Sequence, residues 1–230
     1  MLFERHLDSV VEDYESTLSR LRRIAAGQEE SLLRISRPNR VVGFGRRDEL
    51  NPGFDEALSA CEKHGFTPWV RKVGGRAAAY HEDCMIVDHL AHDADATSGN
   101  KRRYRDFGGL YVRALEGLGV RAGIGELTGE YCAGEFSVHG VLASGERVKL
   151  IGTAQRVVAG GWWFSAGIVI RRPEPLRSVL DEVYQALGIP MDPQTVGALS
   201  MTVPEVQWDD VEDAVFDEYE EWNRRCADDT

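Results

Sequence analysis

The sequence lacks any apolar run long enough to cross a bilayer. Its longest nearly uninterrupted one, Trp162 to Ile170, is about half of the roughly 20 residues a spanning helix needs. No greasy leader is expected either, because Glu4, Arg5, Asp8, Glu12 and Asp13 stand where a signal segment would be apolar. The expectation is a soluble, cytoplasmic protein with no membrane partner. Cysteine is scarce: Cys61, Cys84, Cys132 and Cys226 include no C-x-x-C pair, which fits neither a disulfide framework nor a zinc cage and leaves the thiols reduced and open to chemistry. Repeats and low-complexity linkers are absent, and so is a broad positive face. With 27 Lys+Arg against 38 Asp+Glu the net charge is −11, a poor match to nucleic acid.

Most of the net negative charge lies in one place. Val203 to Thr230 holds eleven acidic residues against Arg224 and Arg225, whereas Arg20 to Arg47 holds eight arginines against Glu29 and Glu30. At 43% hydrophobic, 230 residues can bury a sizeable core. Apolar positions from Leu7 through Val10, Val11, Tyr14, Leu18 and Leu21 to Ile24 follow helical steps, giving an opening helix that ends near Gly27. Further helices are expected over Phe54–His64, Tyr104–Leu118, Leu176–Leu187 and Asp209–Trp222. Strands are expected at Ser31–Ser36, Arg40–Phe44 and Pro68–Arg71, with Ala77–Tyr80 and Met85–Leu90 as a pair. Glu135–His139 and Arg147–Ile151 read as a hairpin about Ala143–Glu146, and Trp163–Ile170 as a central strand. The pattern predicts an α/β (α+β) fold in which helices pack on a central mixed, largely antiparallel sheet.

Three tempting motifs have simpler explanations. His81, His89 and His92 lie among Asp83, Cys84, Asp88, Asp93 and Asp95, but a strand there points His89 and Asp88 to opposite faces, so no metal site is expected. Gly117, Gly119, Gly123 and Gly125 mimic a dinucleotide loop, yet they follow a helix where that fingerprint must follow a strand. Trp162-Trp163 reads as packing rather than a stacking platform.

Two stretches carry chemistry. In Val70-Arg71-Lys72-Val73-Gly74-Gly75-Arg76-Ala77, adjacent glycines let a ligand approach the backbone while Arg71 and Arg76 can meet an anion. In Gly129-Glu130-Tyr131-Cys132-Ala133-Gly134, a thiol sits in a glycine-flanked loop, and the return strand of the hairpin brings Lys149, a cation able to favour the reactive thiolate. A straight hairpin would set Lys149 opposite Val138, six residues from Cys132 or roughly 20 Å along a strand. The loop Gly129–Gly134 must therefore fold back for the two groups to meet.

With Val41-Val42-Gly43-Phe44-Gly45-Arg46-Arg47 and Lys149-Leu150-Ile151-Gly152-Thr153-Ala154-Gln155-Arg156, these stretches resemble, in order and spacing, the lipoate-protein ligase and octanoyltransferase family, which shares its catalytic domain with biotin-protein ligases. The segment around Cys132 is most similar to the cysteine-dependent octanoyl amidotransferase branch. The resemblance implies a catalytic domain over residues 1–200, with 201–230 an acidic helical extension packed on it and no room for a further accessory domain.

It also implies an acyltransferase that moves an octanoyl or lipoyl group through a Cys132 thioester, assisted by Lys149, to a lysine of a lipoyl carrier domain. Glycine cleavage H protein, dehydrogenase E2 subunits or acyl carrier protein are the implied partners. Arg71, Gly74, Gly75, Arg76, Ala77, His81, Gly152, Thr153, Ala154 and Gln155 are the implied substrate contacts, with N–H groups near Gly152 and Thr153 facing the oxyanion. Cysteine transfer needs no cofactor. The alternatives are an ATP- and Mg-dependent ligase, in which Lys149 and the Arg71–Gly75 loop hold an adenylate, and a carrier-binding module without turnover.

Overall fold

The computed structural model of the chain describes residues 1–6, 10–71 and 74–228, with side chains throughout except at 6, 10–15 and 226–228. In chain order the elements are β1 (Leu2–His6), α1 (Val10–Ala25), β2 (Leu32–Ser36), β3 (Val41–Phe44), α2 (Arg46–Glu49), α3 (Phe54–Lys63), β4 (Thr67–Val70), β5 (Ala78–Tyr80) and β6 (Cys84–His92). They continue as α4 (Asn100–Gly117), β7 (Ala122–Ile124), β8 (Val138–Val141), β9 (Arg147–Val158), β10 (Gly161–Val169), α5 (Pro173–Ala186) and α6 (Trp208–Asp228).

Seven strands form one sheet in the order β1-β2-β6-β10-β9-β8-β7, and three form a second in the order β4-β3-β5. Only β1 with β2 and β3 with β4 run parallel, so the architecture is the mixed, largely antiparallel one the sequence predicts.

The central strand shows how alternation sorts the layers. On β10, Trp162, Phe164, Ala166 and Ile168 join the main core with Phe107, Leu110 and Tyr111 of α4. Trp208, Val211, Val215 and Tyr219 of α6 belong to that same core. On the other face of β10, Trp163, Ser165 and Gly167 look toward the small sheet. Small residues oppose one another across the β9–β10 pair, Gly152 to Gly167 and Ala154 to Ser165. The space they leave unfilled becomes a cavity between the two sheets.

Several details depart from expectation. Ala77–Tyr80 and Met85–Leu90 do not pair: β5 joins β3, and β6 lies between β2 and β10 in the other sheet. His81 makes that crossing, its carbonyl accepting from Cys84 N and its Nδ1 from Asp83 N. The sequence reading misses β1, whose alternation is spoiled by charged residues and whose Leu2 and Phe3 stay exposed at an edge. It also misses the short α2 and β7, and the extension of β9 past Ile151 to a turn at Gly160, where φ is +81°. Leu7 lies outside the described residues. No helix among the described residues is long and apolar enough to cross a membrane.

Candidate functional site

Cys132 is held by its own backbone before its sulfur is considered. Its φ of +44° is left-handed, a conformation that costs an ordinary side chain on the order of 1–2 kcal/mol. Both polar groups of the residue are clamped. Its N–H donates to Tyr184 Oη of α5 at 2.6 Å, and its carbonyl accepts from Lys149 Nζ of β9 at 3.1 Å. Tyr184 Oη in turn donates to Ala77 O at 3.0 Å, tying the cysteine loop to the segment that follows Gly75.

The loop folds back as the thiol–lysine pairing requires. A β-bulge in β9, where Leu150 is the extra residue between the pairs Val138–Ile151 and His139–Lys149, places His139, not Val138, opposite Lys149. The chain before β8 then doubles over the end of that strand. Buried Glu130 organises the return: its Oε1 accepts from Gly134 N at 3.0 Å, Ser137 Oγ at 2.6 Å and Lys149 Nζ at 3.3 Å. Lys149 Nζ also donates to Tyr131 O at 2.9 Å and sits 4.6 Å from the centre of the Tyr131 ring. All three ammonium protons therefore have protein acceptors.

The sulfur itself meets a different cation. Sγ accepts from Arg71 Nη2 at 3.5 Å and from the backbone N–H of Arg76 at 3.3 Å, and Arg71 Nη2 also donates to Arg76 O at 2.6 Å. Burial pushes the thiol's pKa up, but the charges of Arg71 and then Lys149, with the Arg76 N–H, outweigh it and bring the thiol below its ordinary value. At Cys61 and Cys84 burial prevails, each thiol pushed up to about 12. Gly75, at φ +107°, permits this packing: a Cβ there would lie 2.8 Å from Sγ and 3.0 Å from Arg71 Nη2.

Cys132 and Lys149 open onto the cavity between the sheets, with Arg71, Gly152, Thr153 and Ala154 on its wall. Val41, Trp69, Ile86, Tyr80 and Trp163 supply most of the remaining apolar lining, none of which the sequence reading assigned to the site. The alternation of small residues along Gly152-Ala154 and Ser165-Gly167 is the sequence signal that could have located this hollow. Trp163 Nε1 is fixed to Asp88 Oδ1 at 2.8 Å, and Asp88 also accepts from Arg34 Nη2 at 2.8 Å.

Other expected residues lie elsewhere. Ala77 is buried in the core behind the site, its carbonyl accepting from Tyr184 Oη. His81 faces Arg172 O at 2.8 Å, and Gln155 bridges Arg103 and Asn100 O; neither reaches the cavity. Of the metal-like histidines, His89 sits among the rings of Phe107, Trp162, Tyr219 and Trp222. Gly74, Gly75 and Arg76 line a second, polar depression with Arg46, Arg47, Arg71, Ala133 and Arg156. Arg76 Nη1 is anchored there to buried Asp48 at 3.0 Å.

Residues 13–220 match the family model described as the lipoyl protein ligase A/B catalytic domain. The chain belongs to that family. Within the lipoyl protein ligase A/B group, it is 28% identical over 165 residues to the octanoyl-[GcvH]:protein N-octanoyltransferase of Geobacillus kaustophilus strain HTA426, an alignment covering 72% of this chain and 56% of that protein. The chain thus spans little more than half the length of this curated relative.

Solved family structures share the fold. Lipoate-protein ligase A bound with ATP superimposes with a TM-score of 0.70 at 20% identity, covering 96% of this chain and 85% of the other. The bipartite lipoate protein ligase of Thermoplasma acidophilum, solved with its E2 lipoyl domain, gives 0.67 at 18% identity over 96% and 83%.

Proposed function

We propose that the protein is an acyltransferase of protein lipoylation, passing an octanoyl or lipoyl group through a Cys132 thioester to a lysine of a lipoyl carrier domain. The observation that carries this reading is the seating of Cys132 Sγ between Arg71 Nη2 and the Arg76 N–H at an apolar cavity. Its place in the family and its likeness to an octanoyltransferase support the same chemistry.

The acyl chain occupies the apolar cavity, and the Cys132 thiolate attacks the donor carbonyl carbon. As the C–S bond forms, the carbonyl oxygen takes up negative charge. The Arg76 N–H and the Arg71 guanidinium, freed from the spent thiolate, stand nearest to receive it, with Gly152 and Thr153 on the adjoining wall. The carbonyl reforms and the donor's C–N or C–S bond breaks, an amine leaving group taking its proton from water and a thiol leaving as thiolate. The neutral amine of the acceptor lysine then attacks the thioester. A new amide C–N bond forms, its nitrogen gives up one proton to water, the enzyme's C–S bond breaks, and the Cys132 thiolate returns.

Ligation through ATP asks Lys149 to hold the free acid and the Arg71–Gly75 loop to hold the adenylate phosphate. The hydrogen bonds of this site favour transfer: Glu130, Tyr131 and Cys132 already engage the three Lys149 protons, and Arg76 O and the sulfur engage Arg71. One assay separates the two reactions. An apo lipoyl domain is offered octanoylated carrier without nucleotide, or free lipoate with ATP and Mg. Product from the first mixture alone is expected; product from the second alone, with AMP released, would replace transfer with ligation.

A further inference from the structure

The acyl cavity accounts for the acyl group but not for the polar depression beside it. That depression adjoins the nucleophile through Gly75 and Ala133 and carries Arg46, Arg47, Arg76 and Arg156 on its rim, with Glu49 as its one acidic lining residue. Arg46 pairs with Glu49, whereas exposed Arg47 makes no ion pair among the described residues. The negative charge of the chain is concentrated after Val203, so a cluster of arginines beside the entrance gives an acidic partner a local attraction at the nucleophile.

The length of the arm that carries the acyl group decides what covers the basin. A lysine stem is only four carbons long, so a carbonyl amide-linked to it reaches Cys132 only when the carrier's own backbone comes down onto the rim. A phosphopantetheine arm is several times longer and would leave its protein farther out. Resting on the transfer reading above, we infer that Arg46 and Arg47 form a docking surface for carboxylate side chains flanking the acylated lysine of a lipoyl carrier domain. Carboxylates there would meet guanidinium forks beside the entrance and set the register of the lysine arm.

The test is the full-length double variant Arg46→Glu/Arg47→Glu, both residues being exposed and remote from the core. With octanoylated lipoyl domain as donor, its KM is expected to rise about tenfold while kcat stays within about twofold, and the salt dependence of KM to flatten or reverse. Acylation of Cys132 by octanoyl-N-acetylcysteamine, which has no protein surface, is expected to be unchanged. Replacing the acids beside the carrier's lysine with lysine should restore KM. An unchanged carrier KM overturns the docking surface alone, as does a KM rise confined to octanoyl acyl carrier protein, which would assign the basin to a phosphate. Failure of the small thioester to acylate Cys132 in the unmodified protein would instead overturn the transfer reading, and this inference with it.

Discussion

A single residue, Arg71, separates this site from the simple thiol–lysine pair that the sequence suggests. Lys149 spends its protons on the carbonyls of Tyr131 and Cys132 and on Glu130, so it holds the loop and acts on the sulfur only as a nearby charge. Arg71 touches the sulfur and is the larger of the two charges favouring the thiolate. The rate of Cys132 alkylation by iodoacetamide should therefore titrate below the ordinary thiol range, and Arg71→Met should move that midpoint upward. Cys61 and Cys84 should stay unreactive across the same interval. A midpoint unmoved by Arg71→Met would mean that Arg71 does not stabilise the thiolate. Gly75→Ala tests the same contact from the other side. The positive φ and the 2.8 Å approach to Sγ predict a stability loss of about 1–2 kcal/mol by urea unfolding, together with slower alkylation.

At the scale of elements, the site is a meeting of parts distant in sequence: the loop before β8, the bulged β8–β9 pair, the end of β4 and helix α5. Tyr184 is the pin between three of them. Tyr184→Phe leaves Cys132 N–H and Ala77 O without this partner, so a loss of about 1–3 kcal/mol is expected from denaturant titration, with the Cys132 loop exchanging its amide protons faster. Unchanged protection of the loop would show that Tyr184 does not pin it.

The sequence made much of this scale readable. Periodic runs gave the helices near their true bounds, and the apolar, β-branched run after Trp163 gave the central strand. Cys132 could be singled out as a thiol in a glycine-flanked loop, Arg71 as a cation ahead of a glycine pair, and Lys149 as the cation that a hairpin returns toward the thiol. Tyr184 and Glu130 could not, since a tyrosine and a glutamate carry no local pattern that reveals a partner 52 or 19 residues away. The division into two sheets escaped for a related reason: alternation tells which way a side chain points, not which strand lies alongside.

The whole molecule ties this site to a core on the far side of the large sheet, where α4 and α6 enclose His89 in aromatic rings. Burial keeps the His89 imidazole neutral, its pKa held down at about 3. The folded state thus binds fewer protons than the unfolded chain between about pH 6.5 and 3, and stability must fall as pH drops through that window. The slope from this one group approaches roughly 1.4 kcal/mol per pH unit once the unfolded histidine is fully protonated. His89→Leu should flatten the acid limb of urea-unfolding curves relative to the parent, and parallel limbs would contradict the burial argument.

All these scales serve one chemical event at Cys132, and it can be weighed directly. The protein is mixed with octanoylated lipoyl carrier in the absence of nucleotide, quenched in acid and digested, and the Cys132 peptide is examined by mass spectrometry. Transfer through the thiolate predicts an octanoyl adduct on that peptide, labile to hydroxylamine, lost when apo lipoyl domain is added before the quench and absent in Cys132→Ser along with all transfer. Transfer that proceeds with Cys132→Ser, and no adduct on the parent protein, would contradict it.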